Sequence, residues 1–319
     1  MRMTYQEAIR QALREEMEQD DNVVLLGEDI GFYGGAFKVT KGLIERFGKK
    51  RVIDTPMSEA GFTGIAIGAS IMGLRPVVEI MFMDFITLAM DQIINHAANF
   101  HYIWDGQANV PVVIRTNSGM GRGYGATHSK SLEPALFNVP GIKIVCPSNA
   151  NDAKYLLKAS IKDNNPVIFI ENRMLYGSKE DVKEESDMVL GKARKIQDGN
   201  DLTIIAYSRM VPLSLKATEE LPNSIEIIDL CTIKPLDKKA IVESVKKTGK
   251  VLILEECFKT GGIGAEIAAI IAEECFDHLD APIKRLASKD VQISCCPSLE
   301  NEIYPKKQDI IEEIKDILG

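Results

Sequence analysis

Apolar positions fall in blocks along this chain rather than alternating residue by residue. Apolar, β-rich runs occur at NVVLLGED (22–29), RPVVEIMFM (75–83), VPVVIRTN (110–117), GIKIVCPS (141–148) and NPVIFIEN (165–172). Four more follow at DLTIIAYS (201–208), SIEIIDL (224–230), KVLILEE (250–256) and PIKRLAS (282–288). Short runs of this kind fit strands buried on both faces of a sheet. Helical patterns lie between them, as in FITLAMDQIINHAANFHYI (85–103) and NANDAKYLLKASIKDN (149–164). The N-terminal segment predicts an amphipathic helix with Tyr5, Ala8, Ile9, Ala12 and Leu13 on one face. The polar stretch GSKEDVKEESDM (177–188) reads as a linker, after which the alternation restarts. The pattern predicts two doubly wound α/β domains, residues 1–185 and 186–319. Ligands of such sheets bind beyond the carboxyl ends of the strands. That directs attention to LLGED (25–29) and VIRTNSGMGRGYGATHS (113–129).

Composition narrows the partners. With 319 residues, 45% hydrophobic and 26% charged, the chain is expected to be globular. A net charge of −8 argues against nucleic acid or an anionic membrane as partner. No segment approaches the roughly 20 apolar residues of a membrane span. The acidic N-terminal helix does not resemble a targeting peptide, so a cytoplasmic location is expected. Six cysteines without CxxC spacing read as buried free thiols of a reducing compartment. His96 and His101, five apart, point to different helix faces and do not suggest a metal pair.

Four stretches hold candidate chemistry. In DTPMSEAGFTGIAIGASIMGLRP (54–76), Glu59 is followed by no charge until Arg75, and Gly61, Gly64 and Gly68 leave one helix face nearly bare. Glu59 is either a helix-dipole partner in the first turn, capped by Thr55 or Ser58, or a buried acid with a chemical task. The loop GMGRGYGATHSKS (119–131) is dense in glycine and holds His128, as a surface histidine or as a site residue. TGGIGAEIAAII (260–271) fails as a dinucleotide fingerprint because Ile267 stands where the third Gly belongs, leaving tight strand–helix packing. GLIERFGKK (42–50) has the wrong spacing for a phosphate loop.

Segments 54–85, 125–172 and 202–237 together resemble one family, from about residue 3 to about 315. It is the beta subunit of the thiamine-diphosphate-dependent first component of 2-oxo acid dehydrogenase complexes, which serve pyruvate, branched-chain 2-oxo acids or acetoin. The resemblance implies a transketolase-like pyrimidine-binding domain followed by a transketolase C-terminal-like domain. It implies an α2β2 heterotetramer with thiamine diphosphate between the two chain types. The Gly-Asp-Gly motif that usually holds Mg²⁺ and the diphosphate occurs nowhere in this chain, so the alpha subunit must supply it. By resemblance, Glu59 hydrogen-bonds a ring nitrogen of the aminopyrimidine, and Phe85, Met57 and Met81 pack around the ring. Core packing, with Met81 and Phe85 on one helix turn, is the simpler alternative for these three. His128 matches the histidine that contacts substrate. Val112, Ser160, Ile161, Asp163 and Asn165 match the ligands of a structural K⁺ found in some members. The implied reaction cleaves the substrate to a hydroxyalkyl-cofactor intermediate and passes the acyl unit to a lipoyl group of an acyltransferase. The sequence departs from the family's His-Ser-Gln at His128-Ser129-Lys130 and in the tail SCCPSLENEIYP (294–305). Half of a split transketolase or deoxyxylulose-phosphate synthase is a second reading. It would need several convergent basic residues, and Arg115, Arg122, Lys130 and Arg173 are too few and too scattered to make it the first choice. A non-catalytic docking module is a third.

Overall fold

A computed structural model describes all residues, Met1–Gly319. Contacts divide the chain into two units: 1–118 with 138–190, and 119–137 with 191–319. The main division thus falls at 190/191 rather than 185, and the glycine-rich segment 119–137 belongs to the second unit.

The first unit holds β1 (Arg2–Thr4), β2 (Val23–Gly27), β3 (Val52–Asp54), β4 (Arg75–Ile80), β5 (Val113–Ser118), β6 (Lys143–Val145), β7 (Val167–Asn172) and β8 (Lys179–Asp181). Six of them form a parallel sheet in the order β6-β7-β5-β4-β2-β3. The chain runs from β2 outward to β3, then returns to the other side of β2 as β4. This reversal opens a crevice at the carboxyl ends of β2 and β4. The first helix, Tyr5–Gln19, starts with a capping box between Thr4 and Glu7. Its predicted face is buried throughout: Tyr5, Ala8, Ile9, Ala12 and Leu13. The three-residue strands β1 and β8 pair antiparallel, so the expected linker begins as a strand. Such short strands are below what periodicity reveals.

The second unit contains β9 (Arg194–Gln197), β10 (Leu202–Ala206), β11 (Ile225–Asp229), the short β12 (Thr232–Lys234), β13 (Val251–Phe258) and β14 (Lys284–Ser288). Its sheet runs β14-β13-β10-β11-β9, parallel except for β9. Helices Met210–Thr218, Lys238–Thr248 and Ile263–Cys275 follow β10, β11–β12 and β13. The C-terminal helix Lys307–Leu318 buries Ile310, Ile311, Ile314 and Ile317 in the core. Gly262 and Gly264 serve the strand–helix packing expected of them. A Cβ on either would lie 2.7 Å or less from a Glu255 carboxylate oxygen, and the Gly264 N–H donates to Glu255 Oε2 at 2.8 Å. No helix is long and apolar enough to cross a membrane.

Candidate functional site

The crevice of the first unit gathers acids from consecutive strand ends. Glu28 follows β2 directly, and Glu59 opens the helix Glu59–Ile71 just after β3. Ser58 occupies the N-cap position without a side-chain hydrogen bond, so Glu59 does sit in the first turn. Both carboxyl groups are half-buried. Burial raises the Glu28 carboxyl above its ordinary value, and the neighbouring charges of Glu59 and Asp29 raise it further. Glu28 Oε1 is buried with no hydrogen-bond partner. An orphaned acceptor beside a second acid is costly unless a proton or a ligand donor meets it. Glu28 was not singled out from the sequence. Its signal was its place at the end of an apolar strand.

Met81 and Phe85 follow β4 on the same edge. Met81 precedes the 3₁₀ helix Met83–Ala89, so the expected shared helix turn with Phe85 does not form. The Met81 carbonyl accepts from Asn117, and the Phe85 ring stands edge-on to Phe82 at 5.7 Å. Met57 is 88% exposed on the approach to the 59–71 helix. On this helix Phe62, Ala66 and Ile67 are buried, while Gly61, Ile65, Gly68 and Met72 face outward. The edge therefore presents two close acids, an aromatic ring and methionines. Those groups fit an aminopyrimidine, which needs one proton-sharing carboxyl and apolar walls.

The five residues matched to a potassium site already have donors at most of their carbonyls. Arg75 Nη1 donates to Ile161 and Asp163 carbonyls at 2.9 and 3.2 Å. Val112 and Ser160 carbonyls accept from the Val167 and Asp163 amides. A potassium ion here would have to use second lone pairs and lie beside a guanidinium. His96 approaches Asp91 at 3.5 Å and His101 Nδ1 lies 2.9 Å from the Ala108 carbonyl, so the two do not converge on a metal. Cys146, Cys231, Cys257 and Cys275 are buried thiols as expected, but Cys295 and Cys296 are exposed, which corrects the all-buried reading.

His128 belongs to the second unit. Its loop takes four glycines at positive φ: Gly119, Gly121, Gly123 and Gly125. Arg122 Nη2 donates to the Gly119 and His128 carbonyls, both at 3.0 Å, closing the loop on itself. The Met120 N–H donates to Glu256 Oε1 at 2.9 Å, and Arg209 Nη1 reaches the Met120 carbonyl at 3.1 Å. Glu300, 1% exposed, accepts the Gly121 N–H at 2.9 Å and the Gly123 N–H at 2.7 Å. Thr127 Oγ1 lies 2.9 Å from His128 Nδ1. When that hydroxyl donates, the neutral ring carries its proton on Nε2. Behind the loop, burial pushes the Glu133 carboxyl up to about 8, with Glu256 and Glu255 adding to the rise.

The four candidate phosphate-binding cations are engaged elsewhere. Arg115 is buried between Glu79 at 2.8 Å and Glu171 at 2.6 Å. Arg173 stacks over Phe37 and Tyr176 at 4.7 and 4.8 Å. Arg122 holds its own loop, and Lys130 donates to the Ala126 carbonyl.

Comparison with known proteins places the chain in a family. Residues 1–179 match the family "Transketolase, pyrimidine binding domain", and residues 191–310 match "Transketolase, C-terminal domain". The chain is 46% identical to the pyruvate dehydrogenase E1 component subunit beta of Rickettsia felis, covering 99% of this chain and 98% of that one. The subunit of the same name from Gracilaria tenuistipitata is 48% identical, covering 98% of each. The mitochondrial one from Saccharomyces cerevisiae is 43% identical over 99% of this chain and 89% of its own length. Among solved structures, a split-gene transketolase in an inactive beta4 tetramer superposes with a TM-score of 0.82 at 21% identity, covering 99% of this chain and 98% of that one. Transketolase from Leishmania mexicana gives 0.73 at 15% identity, covering 98% of this chain and 45% of its own. Both likenesses concern the fold.

Proposed function

The chain belongs to the family of pyruvate dehydrogenase E1 component beta subunits, and from that membership we propose that it supplies the pyrimidine half of a thiamine diphosphate site completed by an alpha subunit. The observation that carries this reading is the pair of interacting acids, Glu28 and Glu59, beside Phe85 and Met81 at the switch point of the sheet. When bound, thiamine diphosphate supplies a carbon nucleophile and an electron sink for cleavage of a 2-oxo acid. Glu59 shares a proton with the aminopyrimidine nitrogen. Glu28, whose carboxyl is raised by burial and by the charges of Glu59 and Asp29, lies close enough to sense that carboxyl. Phe85, Met57 and Met81 give the ring apolar walls, which strengthen the hydrogen bond by lowering the local dielectric. His128 offers Nε2–H to the substrate carboxylate or donates a proton during acyl transfer.

The lack of Gly-Asp-Gly assigns Mg²⁺ and the diphosphate to the alpha chain of an α2β2 assembly. The acyl unit goes on to a lipoyl group of an acyltransferase. Pyruvate is the first-choice substrate, ahead of branched-chain 2-oxo acids and acetoin. Lys130 is tied to its own loop, so it would act on substrate preference through loop shape. The split-transketolase reading is disfavoured because Arg115, Arg122, Lys130 and Arg173 are already engaged.

The test is reconstitution with the alpha partner, thiamine diphosphate and Mg²⁺, followed by a panel of pyruvate, branched-chain 2-oxo acids, acetoin and sugar phosphates. Reduction of an artificial electron acceptor should be fastest, as kcat/KM, with pyruvate. Turnover of sugar phosphates alone, or none at all, overturns the proposal.

A further inference from the structure

The glycine-rich loop has few side chains of its own to hold His128 in place beyond the Arg122 tie, because alternate residues from Gly119 to Gly125 have none. Much of its order comes from what its backbone meets. Gly121 and Gly123 adopt φ of 98° and 68°, and both N–H groups point at one carboxylate. Such successive amides make a concave nest for an anion. Here the anion is the Glu300 carboxylate, which receives one amide on each oxygen. Glu300 reaches that position from the short helix Pro297–Glu300, and its own N–H is held by the Cys296 carbonyl at 2.9 Å. Cys295 closes the other side: a Cβ on Gly123 would lie 3.2 Å from its carbonyl oxygen. Glu256 adds a third amide at Met120 and is itself paired with Arg209 at 3.2 Å. The Arg122 tie between residues 119 and 128 then carries this anchoring to the histidine's own backbone.

We propose that Glu300 is a positioning residue of the reaction: its two-pronged grip on the Gly121 and Gly123 amides sets where His128 stands. The inference rests on the role given to His128 above. Charge-assisted hydrogen bonds are worth about twice neutral ones, so losing one should open the loop measurably.

The experiment uses the reconstituted complex with the beta chain as wild type, Glu300→Gln and Glu300→Asp. Glutamine keeps the shape but sets an NH₂ donor against one amide donor. Aspartate keeps the charge on a shorter stem. Amide hydrogen exchange is read at Gly121 and Gly123, with strand 23–27 as an internal control. In Glu300→Gln, exchange at the two glycines should rise on the order of tenfold while the control stays unchanged. Over the same series kcat/KM for the 2-oxo acid should fall, with thiamine diphosphate affinity retained and Glu300→Asp recovering part of the loss. If Glu300→Gln does not assemble, wild type against Glu300→Asp decides by the same readouts. Equal exchange in every chain overturns the grip itself. A loosened loop with unchanged kcat/KM overturns its role in positioning. Because exchange is measured without turnover, a wrong substrate assignment would leave the first result standing and would be recognised separately.

Discussion

Burial raises the carboxyls of both Glu28 and Glu133, with different neighbours behind the rest of each shift. Glu28 is raised by burial and by the charges of Glu59 and Asp29, so it reports on its partners. Replacing Glu59 by Gln removes one of those charges and the proposed proton-sharing carboxyl together. Activity of the assembled complex should fall about a hundredfold or more, the scale of general acid–base contributions. Assembly should persist, and near-normal turnover of that variant would refute the role given to Glu59. Glu133 rises chiefly because it is buried, from 4.5 to about 8. Its folded form therefore holds a proton that the unfolded chain has lost, and stability drains away as pH climbs between those values. The slope is up to about 1.4 kcal/mol per pH unit. Gln carries no such proton. Glu133→Gln should flatten the profile of Tm against pH and melt higher than wild type near pH 8, by on the order of 5 °C. Parallel profiles for the two chains would show that Glu133 is ionised when folded. Glu59 was legible in the sequence because it stands alone in an uncharged segment. Glu28 was not, since Glu-Asp after a strand reads as ordinary surface. Glu300 was beyond reach, because its partners are backbone amides 177 and 179 positions away.

At the scale of elements, the apolar runs marked every central strand, because a parallel strand buried on both faces needs them. The segment 85–103 was harder. It reads as one helix but is built as a 3₁₀ helix to Ala89, a π-helical stretch Gln92–Ala97 and a short turn of α-helix Phe100–Ile103. Its apolar content is helical in amount, and only the hydrogen-bond pattern tells the three apart. On the 59–71 helix, Gly61 and Gly68 are exposed beside Ile65 and Met72. A Cβ on Gly68 would meet nothing within 4 Å, so no part of this chain requires a glycine there. Gly68→Ala should therefore stabilise the isolated beta chain, by up to about 1 kcal/mol. If the bare face is where the alpha subunit packs closely, the same change should weaken assembly, seen as dissociation at higher protein concentration in size-exclusion chromatography. A variant that assembles as tightly as wild type would move the junction elsewhere.

For the molecule as a whole, membership in a family of E1 beta subunits implies a partner chain. Phe32, Met57, Tyr102 and Met72 are 92, 88, 87 and 84% exposed. Without an alpha chain to hold Mg²⁺, thiamine diphosphate should leave the melting temperature of this chain unchanged. Added to the assembled pair at a hundred times its Kd, it should stabilise by about 2.7 kcal/mol. A full shift with the beta chain alone would mean that the diphosphate site is not on another polypeptide. The sequence predicted two units, and it could not show that the chain leaves the first after Ser118, returns at Asn138 and departs again after Leu190. That threading limits how the protein can be cut apart. A fragment ending at Leu190 would carry the His128 loop without Glu256 and Glu300, and one beginning at Gly191 would hold those anchors with nothing to grip. Anyone wishing to express the halves separately must move residues 119–137 as well, because the gene's order and the molecule's parts do not coincide.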